Sequence, residues 1–239
     1  MLLCGHRGVA ALAPENTLAG LRTAYRLGLE WVEIDVQLSR DDEVVVIHDN
    51  TVNRCSNGRG KVSELEWPEL ARLDAGGWFD AGFYGEAIPR LSDYLGLAHA
   101  LGIKVNIELK IHAGDDPRRL CQHVHAVIAQ LSLPENTLLF SSFEPACLAH
   151  LQQLAPAIAR GLLVERLPHD WHAQLLRLGC MALHCNHKYL THTQARAVNA
   201  AGFLLHCYTV NDKTRMHTLA DWGVDMIFTD DPQGYQHQP

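Results

Sequence analysis

The feature that most constrains this chain is a regular alternation. Eight short β-rich runs are separated by stretches whose apolar residues recur every three or four positions. The runs are Leu2–Gly5, Trp31–Gln37, Lys104–Leu109, Thr137–Ser141, Ala159–Val164, Met181–Cys185, Phe203–Tyr208 and Asp225–Phe228. Leu95, Ala98 and Leu101 trace one helical stripe between them; Leu120, Val124, Val127 and Leu131 trace another. Such alternation implies parallel strands joined by crossover helices. Eight units within 239 residues leave no length for a second core, so the pattern predicts an α/β fold, a (β/α)8 TIM barrel, as a single domain over 1–239. An open doubly wound sheet is the alternative, but no Gly-rich phosphate loop follows the first run.

One further run breaks the alternation. Val44–Ile47 follows Gln37 after the polar turn Ser39-Arg40-Asp41-Asp42, far too short for a parallel crossover. Trp31–Leu38 and Val44–His48 are therefore expected to form an antiparallel hairpin extending the second strand. A turn centred on Asp41 sets Asp35 opposite Ile47 and His48. The stretch Thr51–Leu91, with several glycines and with Trp67, Trp78 and Phe79, fits no β/α unit. It reads as an insertion of about 51–91, a small inserted subdomain that is either a lid over the site or a packed excursion.

Composition narrows the classes of function. Charged residues make up 20% and the formal net charge is −7, a poor match to non-specific binding of nucleic acid or an anionic membrane surface. No run reaches the roughly 18 apolar residues that a membrane span needs, and Met1–Arg7 turns polar too soon for a signal peptide. The seven cysteines are odd in number and form no CxxC pair. They read as reduced buried thiols of a cytoplasmic protein, and a homo-oligomer is compatible with the sequence.

Catalytic groups of β/α barrels sit at the C-terminal ends of the strands. The polar residues that fall there are His6-Arg7, Glu33 and Asp35, His48-Asp49, and Glu108 with Lys110. Glu33 and Asp35 are two apart on a strand, so they share a face, as do Glu108 and Lys110. Carboxylates converging inside a barrel need neutralising. Either a divalent cation or an ion-pair network with Arg7 and Lys110 would do so. An all-oxygen set suits Mg2+ or Ca2+ better than zinc. His6 and His48 form the natural acid–base pair, since one imidazole can take a proton while the other gives one. A phosphodiester needs that division of labour, with cationic groups on its phosphoryl oxygens.

Other clusters carry less. His184-Cys185-x-His187 lacks further zinc ligands at suitable spacing. His123 and His125 fall mid-helix. Ser141-Ser142 stands outside any GxSxG elbow. Asp230-Asp231-Pro232 reads as a helix cap or loop anchor.

Taken in order, His6-Arg7-Gly8, Pro14-Glu15-Asn16-Thr17, Glu33-Ile34-Asp35, His48-Asp49 and Glu108-Leu109-Lys110 resemble the motifs of the glycerophosphodiester phosphodiesterases. Ser141-Ser142-Phe143, Asn186-His187-Lys188, Tyr208-Thr209-Val210-Asn211 and Thr229-Asp230 resemble its later motifs, so the likeness runs through the whole chain. It is nearest to the cytoplasmic bacterial form. The resemblance implies metal-dependent hydrolysis of glycerophosphodiesters, such as glycerophosphocholine or glycerophosphoethanolamine, to sn-glycerol 3-phosphate and an alcohol. It implies a cation on Glu33, Asp35 and Glu108, acid–base work by His6 and His48, and Arg7 and Lys110 on the phosphate. It also implies attack by a glycerol hydroxyl, giving a cyclic phosphate that water opens. Tyr208 stands where some relatives carry tryptophan, at a position expected to touch substrate. Two other classes remain: a lipid-directed phospholipase, which needs an apolar or basic rim, and a non-catalytic binding barrel, which would have lost a site residue. The partner expected is a small-molecule diester, with no nucleic acid and no stable membrane insertion.

Overall fold

The computed structural model describes residues 1–233 and 235. The elements run β1 (Leu2–Gly5), α1 (Leu18–Arg26), β2 (Trp31–Leu38), β3 (Val44–Val46), α2 (Trp67–Leu70), α3 (Leu91–Leu101), β4 (Lys104–Leu109), α4 (Pro117–Leu131), β5 (Leu138–Ser142), α5 (Pro145–Leu154), β6 (Ala159–Val164), α6 (Trp171–Leu178), β7 (Ala182–Asn186), α7 (His192–Ala200), β8 (Leu204–Tyr208), α8 (Lys213–Asp221) and β9 (Met226–Thr229). Eight parallel strands follow the order β1-β9-β8-β7-β6-β5-β4-β2 and close where β1 meets β2 at Cys4↔Trp31 and Gly5↔Val32. This is the closed barrel expected from the alternation, not the open sheet.

Strand β2 shows why the barrel forms. Its sequence alternates Val32, Ile34 and Val36 with Glu33, Asp35 and Gln37, and all six are buried. The valines and isoleucine join a core cluster with Leu91, Leu95, Val124 and Phe140 from neighbouring elements, so they face the helices. The polar residues therefore face inward. Burying each of those aliphatic side chains contributes about 1.5–3 kcal/mol. The second half of the barrel repeats the scheme, with Leu183, Cys185, Leu205, Cys207 and Ile227 packed on α6, α7 and α8 residues. Thr17 caps α1 through its side chain, and Pro117 and Pro145 open α4 and α5, where a missing N–H costs nothing. All seven cysteines are buried and unpaired.

The hairpin forms with Val36↔Val46, Gln37↔Val45 and Leu38↔Val44 in register. Ile47 N donates to Asp35 O at 2.9 Å, so His48 does return beside the carboxylates. Strand β9 starts at Met226, one residue later than expected, and the Asp225 carboxylate just before it accepts from Leu205 N at 2.8 Å. Residues between β3 and α3 pack Val52, Val62, Leu70, Ala75 and Ile88 against Val45 and Ile47. Trp78 and Tyr84 in this stretch are exposed. Among the described residues, no helix is long and apolar enough to cross a membrane.

Candidate active site

The loop after β1 is folded back on its own strand. A Cβ on Gly5 would lie 1.8 Å from Gly8 O, so the turn closes only with glycine there. Gly8 has φ 90°, and Arg7 takes a left-handed φ of 51°, which costs a non-glycine residue about 1–3 kcal/mol. In return Arg7 N donates to Glu33 Oε2 at 2.9 Å, and the Arg7 side chain turns over the strand ends.

There the carboxylates converge. Asp35 and Glu108 are register partners on β2 and β4. One oxygen from each of Glu33, Asp35 and Glu108 lies within 4.8 Å of the others, the one such group of three among the described residues. Lys110 Nζ stands 2.7 Å from Glu108 and 3.4 Å from Asp35, and Arg7 Nε 3.3 Å from Asp35. Asn16 Nδ2 donates to Asp35 Oδ2 at 2.9 Å. The ion-pair network and the carboxylate triad are thus both present, but they do not balance. Arg7 also serves Glu15 at 2.9 Å, and Glu33 Oε1 is buried without a partner. Burial pushes the Glu33 carboxyl up, and the neighbouring Asp35 charge adds to it. Burial works the same way on Asp35, yet Lys110 and Arg7 hold its carboxyl below the usual range. Burial and Asp35 raise Glu108 against the pull of Lys110. A hard oxygen donor set with surplus negative charge and one unpartnered oxygen fits a divalent cation.

Each histidine is held by an aspartate through the same ring atom. His6 Nδ1 is 2.6 Å from Asp230 Oδ1, and His48 Nδ1 is 2.8 Å from Asp49 Oδ1. Both Nε2 atoms are then left for other work, and His6 Nε2 is 4.0 Å from Glu33 Oε2. Burial lowers the His6 pKa, but the Asp230 hydrogen bond and the Glu33 charge override it and raise the pKa above the ordinary value. Burial lowers His48; Asp35 opposes this, while Lys110 and Arg7 reinforce it.

His6, Arg7, Glu33, His48, Glu108, Lys110 and Tyr208 line one cavity of about 400 Å³, and Asp35 sits beneath Lys110 and Arg7. The structure therefore brings all eight expected residues together. Tyr208 offers its ring and not its hydroxyl, which donates to Val164 O at 2.9 Å. The ring meets Phe143 edge-on at 5.9 Å. No residue of 51–91 lines this cavity. Lys61 and Ser63 from that stretch line an adjoining cleft of about 550 Å³ that shares Lys110 with it.

Sequence reasoning passed over two supports. Asp230, read as a cap or anchor, holds His6 and is itself held by Asn211 Nδ2 at 2.7 Å. Arg54 grips both Asp49 oxygens at 2.8 and 2.9 Å and both Glu15 oxygens at 2.7 and 2.9 Å. Asp230 and Glu15 stand inside the recognised motifs, which was a signal. Arg54 stands in the insertion and carried none. Of the weaker candidates, His184 is buried against His206, and Ser142 Oγ donates to Leu109 O, so neither zinc ligation nor a serine nucleophile is built there.

Residues 6–234 match the glycerophosphoryl diester phosphodiesterase family. A glycerophosphodiester phosphodiesterase of Caldanaerobacter subterraneus subsp. tengcongensis is 34% identical over 97% of this chain and 95% of its own length. One from Bacillus altitudinis is 32% identical over 95% and 93%. A solved Oleispira antarctica phosphodiesterase, in complex with the product sn-glycerol-3-phosphate, superposes with a TM-score of 0.93 at 36% identity, covering 98% of this chain and 94% of that one. The chain belongs to the glycerophosphoryl diester phosphodiesterase family of hydrolases.

Proposed function

We propose that this chain hydrolyses glycerophosphodiesters, such as glycerophosphocholine and glycerophosphoethanolamine, to sn-glycerol 3-phosphate and an alcohol, with His6 and His48 as the acid–base pair. The observation that carries the reading is the meeting of a three-carboxylate cluster, within 4.8 Å, with two histidines each oriented through Nδ1. The product complex of the Oleispira relative supports the same reaction class.

Glu33, Asp35 and Glu108 would hold a divalent cation, Mg2+ or Ca2+. When bound, it would supply positive charge for the phosphoryl oxygens. Arg7 and Lys110, 3.3 and 3.4 Å from Asp35, would bind the same phosphate, Arg7 through its planar guanidinium and Lys110 as a point charge. The glycerol hydroxyl next to the phosphate attacks phosphorus, one histidine taking its proton at Nε2. The other protonates the departing alkoxide, so the headgroup leaves as a neutral alcohol. Water then opens the cyclic phosphate with the two roles exchanged. Because the substrate carries its own nucleophile, no serine or cysteine is needed, and intramolecular attack is strongly favoured by proximity. Phe143 and the Tyr208 ring form an apolar wall against which substrate packs. The chain acts as one domain of 1–239, with 51–91 bordering the adjoining cleft. Seven unpaired buried cysteines support a cytoplasmic setting.

His6→Ala and His48→Ala test the pair. Each should lower turnover by at least about 100-fold, since general acid–base catalysis contributes roughly 10²–10⁴, with circular dichroism unchanged. Near wild-type turnover in either variant would remove that residue from the mechanism.

A further inference from the structure

Of the residues that line the active-site cavity, Phe143 and Lys188 are the two that are exposed, so they mark its mouth. Phe143 directly follows β5, and Lys188 lies in the turn after β7. The backbone under Lys188 is fixed. His187 N donates to Tyr208 O at 3.1 Å, Lys188 N to Asn186 Oδ1 at 3.0 Å and Tyr189 N to Asn186 O at 3.1 Å. Arg215 donates to His187 O from the next helix.

The ammonium carried by this turn is free. The other two cations of the cavity are engaged: Lys110 by Glu108 and Asp35, and Arg7 by Glu15 and Asp35. Among the described residues, the Lys188 side chain makes no ion pair and no hydrogen bond. Glu165 and Arg166, on the loop after β6, are exposed and opposite in charge, and neither lines the cavity. The Arg166 guanidinium lies 3.6 Å over the Tyr189 ring. The mouth therefore carries one uncompensated positive charge, on Lys188.

A reaction in two steps decides which half of the substrate meets that charge. The alcohol must leave, and water must enter, while the cyclic phosphate stays bound. The leaving half therefore lies on the open side of the phosphate. We propose that Lys188 reads the charge of the leaving alcohol, favouring headgroups that carry an anionic group over those that carry an ammonium. This rests on the hydrolase reading above. An exposed charge pair biases binding only a few-fold and is screened by salt, so glycerophosphocholine and glycerophosphoethanolamine stay substrates, though disfavoured ones.

The test uses two diesters of sn-glycerol 3-phosphate, one with choline and one with 3-hydroxypropanoate, whose carboxylate is anionic. Their kcat/KM values are measured at low ionic strength in wild type, Lys188→Ala and Lys188→Glu. Each diester is compared with itself across the three proteins, so the unequal reactivity of the two alcohols cancels. In Lys188→Ala the carboxylate diester should fall and the choline diester should rise, each by about threefold and mainly through KM. In Lys188→Glu both shifts should reach about tenfold, and added salt should shrink them. A parallel fall of both diesters would make Lys188 a phosphate contact, and no change in either would make it a bystander. Either result would overturn the proposal. Failure of folded wild type to cleave either diester under Mg2+ or Ca2+ would instead contradict the hydrolase reading, and the charge reading would fall with it.

Discussion

His6 Nδ1 lies 2.6 Å from Asp230 Oδ1, although 224 positions separate them in the chain. The contact joins the loop after β1 to the residue after β9, two strands paired in register from Leu2↔Met226 to Gly5↔Thr229. An aspartate on Nδ1 fixes the ring and its tautomer, leaving Nε2 for proton transfer. Asp230→Asn should keep the shape and lose the charge. Turnover should fall roughly 10²- to 10⁴-fold, the upper end being the loss when the aspartate behind a catalytic histidine becomes asparagine, with KM little changed. Steady-state kinetics check this; a KM effect alone would make Asp230 a substrate contact.

Arg54 ties the insertion to the site by gripping Asp49 and Glu15 at once. Asp49 in turn orients His48. Arg54→Ala should lower kcat about tenfold, and should speed proteolysis within 51–91 more than elsewhere. Arg54→Lys should restore little, since a single ammonium cannot replace two bidentate contacts. Wild-type kcat with Arg54→Lys would show that the clamp is dispensable.

On the proposed cation site, Glu33 would tie cation binding to pH. Burial, with Asp35 beside it, pushes its carboxyl up to about 8. A cation must displace that proton, so affinity should weaken as pH falls below about 8, by up to about tenfold per unit for one proton. The sign for stability follows. A raised carboxyl favours the protonated fold, so cation-free protein should lose this stabilisation as pH rises from the ordinary carboxyl value, about 4.5, through about 8, and saturating cation should cancel the loss. Calorimetric titration in buffers of different ionisation enthalpy measures the released proton. Glu33→Gln should abolish the release.

Gly161→Ala should destabilise through the pinned His184 ring, whose Nε2 a new Cβ would meet at 2.2 Å. Overpacking of this kind costs about 1–3 kcal/mol, or a fall of several degrees in Tm. Gly96→Ala in α3 is the control. Nothing lies within 4 Å of its Cβ, and helix propensity favours alanine by about 1 kcal/mol. Thermal melts compare the two directly.

Much of this was legible in the sequence, for reasons that can be named. The hairpin register followed from the length of one polar turn, and it returned His48 beside Asp35 as expected. Inward carboxylates were readable because strand alternation is rigid: Glu33 and Asp35 had to share a face. Asp230 stood inside a recognised motif, but its hold on His6 shows only once the barrel closes, and Arg54 was not readable, because its contacts depend on loop geometry that has no period. The polar layer of Asn106, Ser141 and His184 was hidden for another reason. Asn106 and His184 are ordinary strand residues until the structure shows Asn106 Oδ1 and His184 Nδ1 buried without a partner.

The central claim is that this barrel releases sn-glycerol 3-phosphate with a cation held on Glu33, Asp35 and Glu108. The direct measurement is product release from glycerophosphocholine after EDTA treatment, with Mg2+ or Ca2+ then restored. The account predicts loss of release with EDTA and recovery with at least one of the two ions. Release that ignores EDTA, or no release from folded protein under either ion, would contradict it.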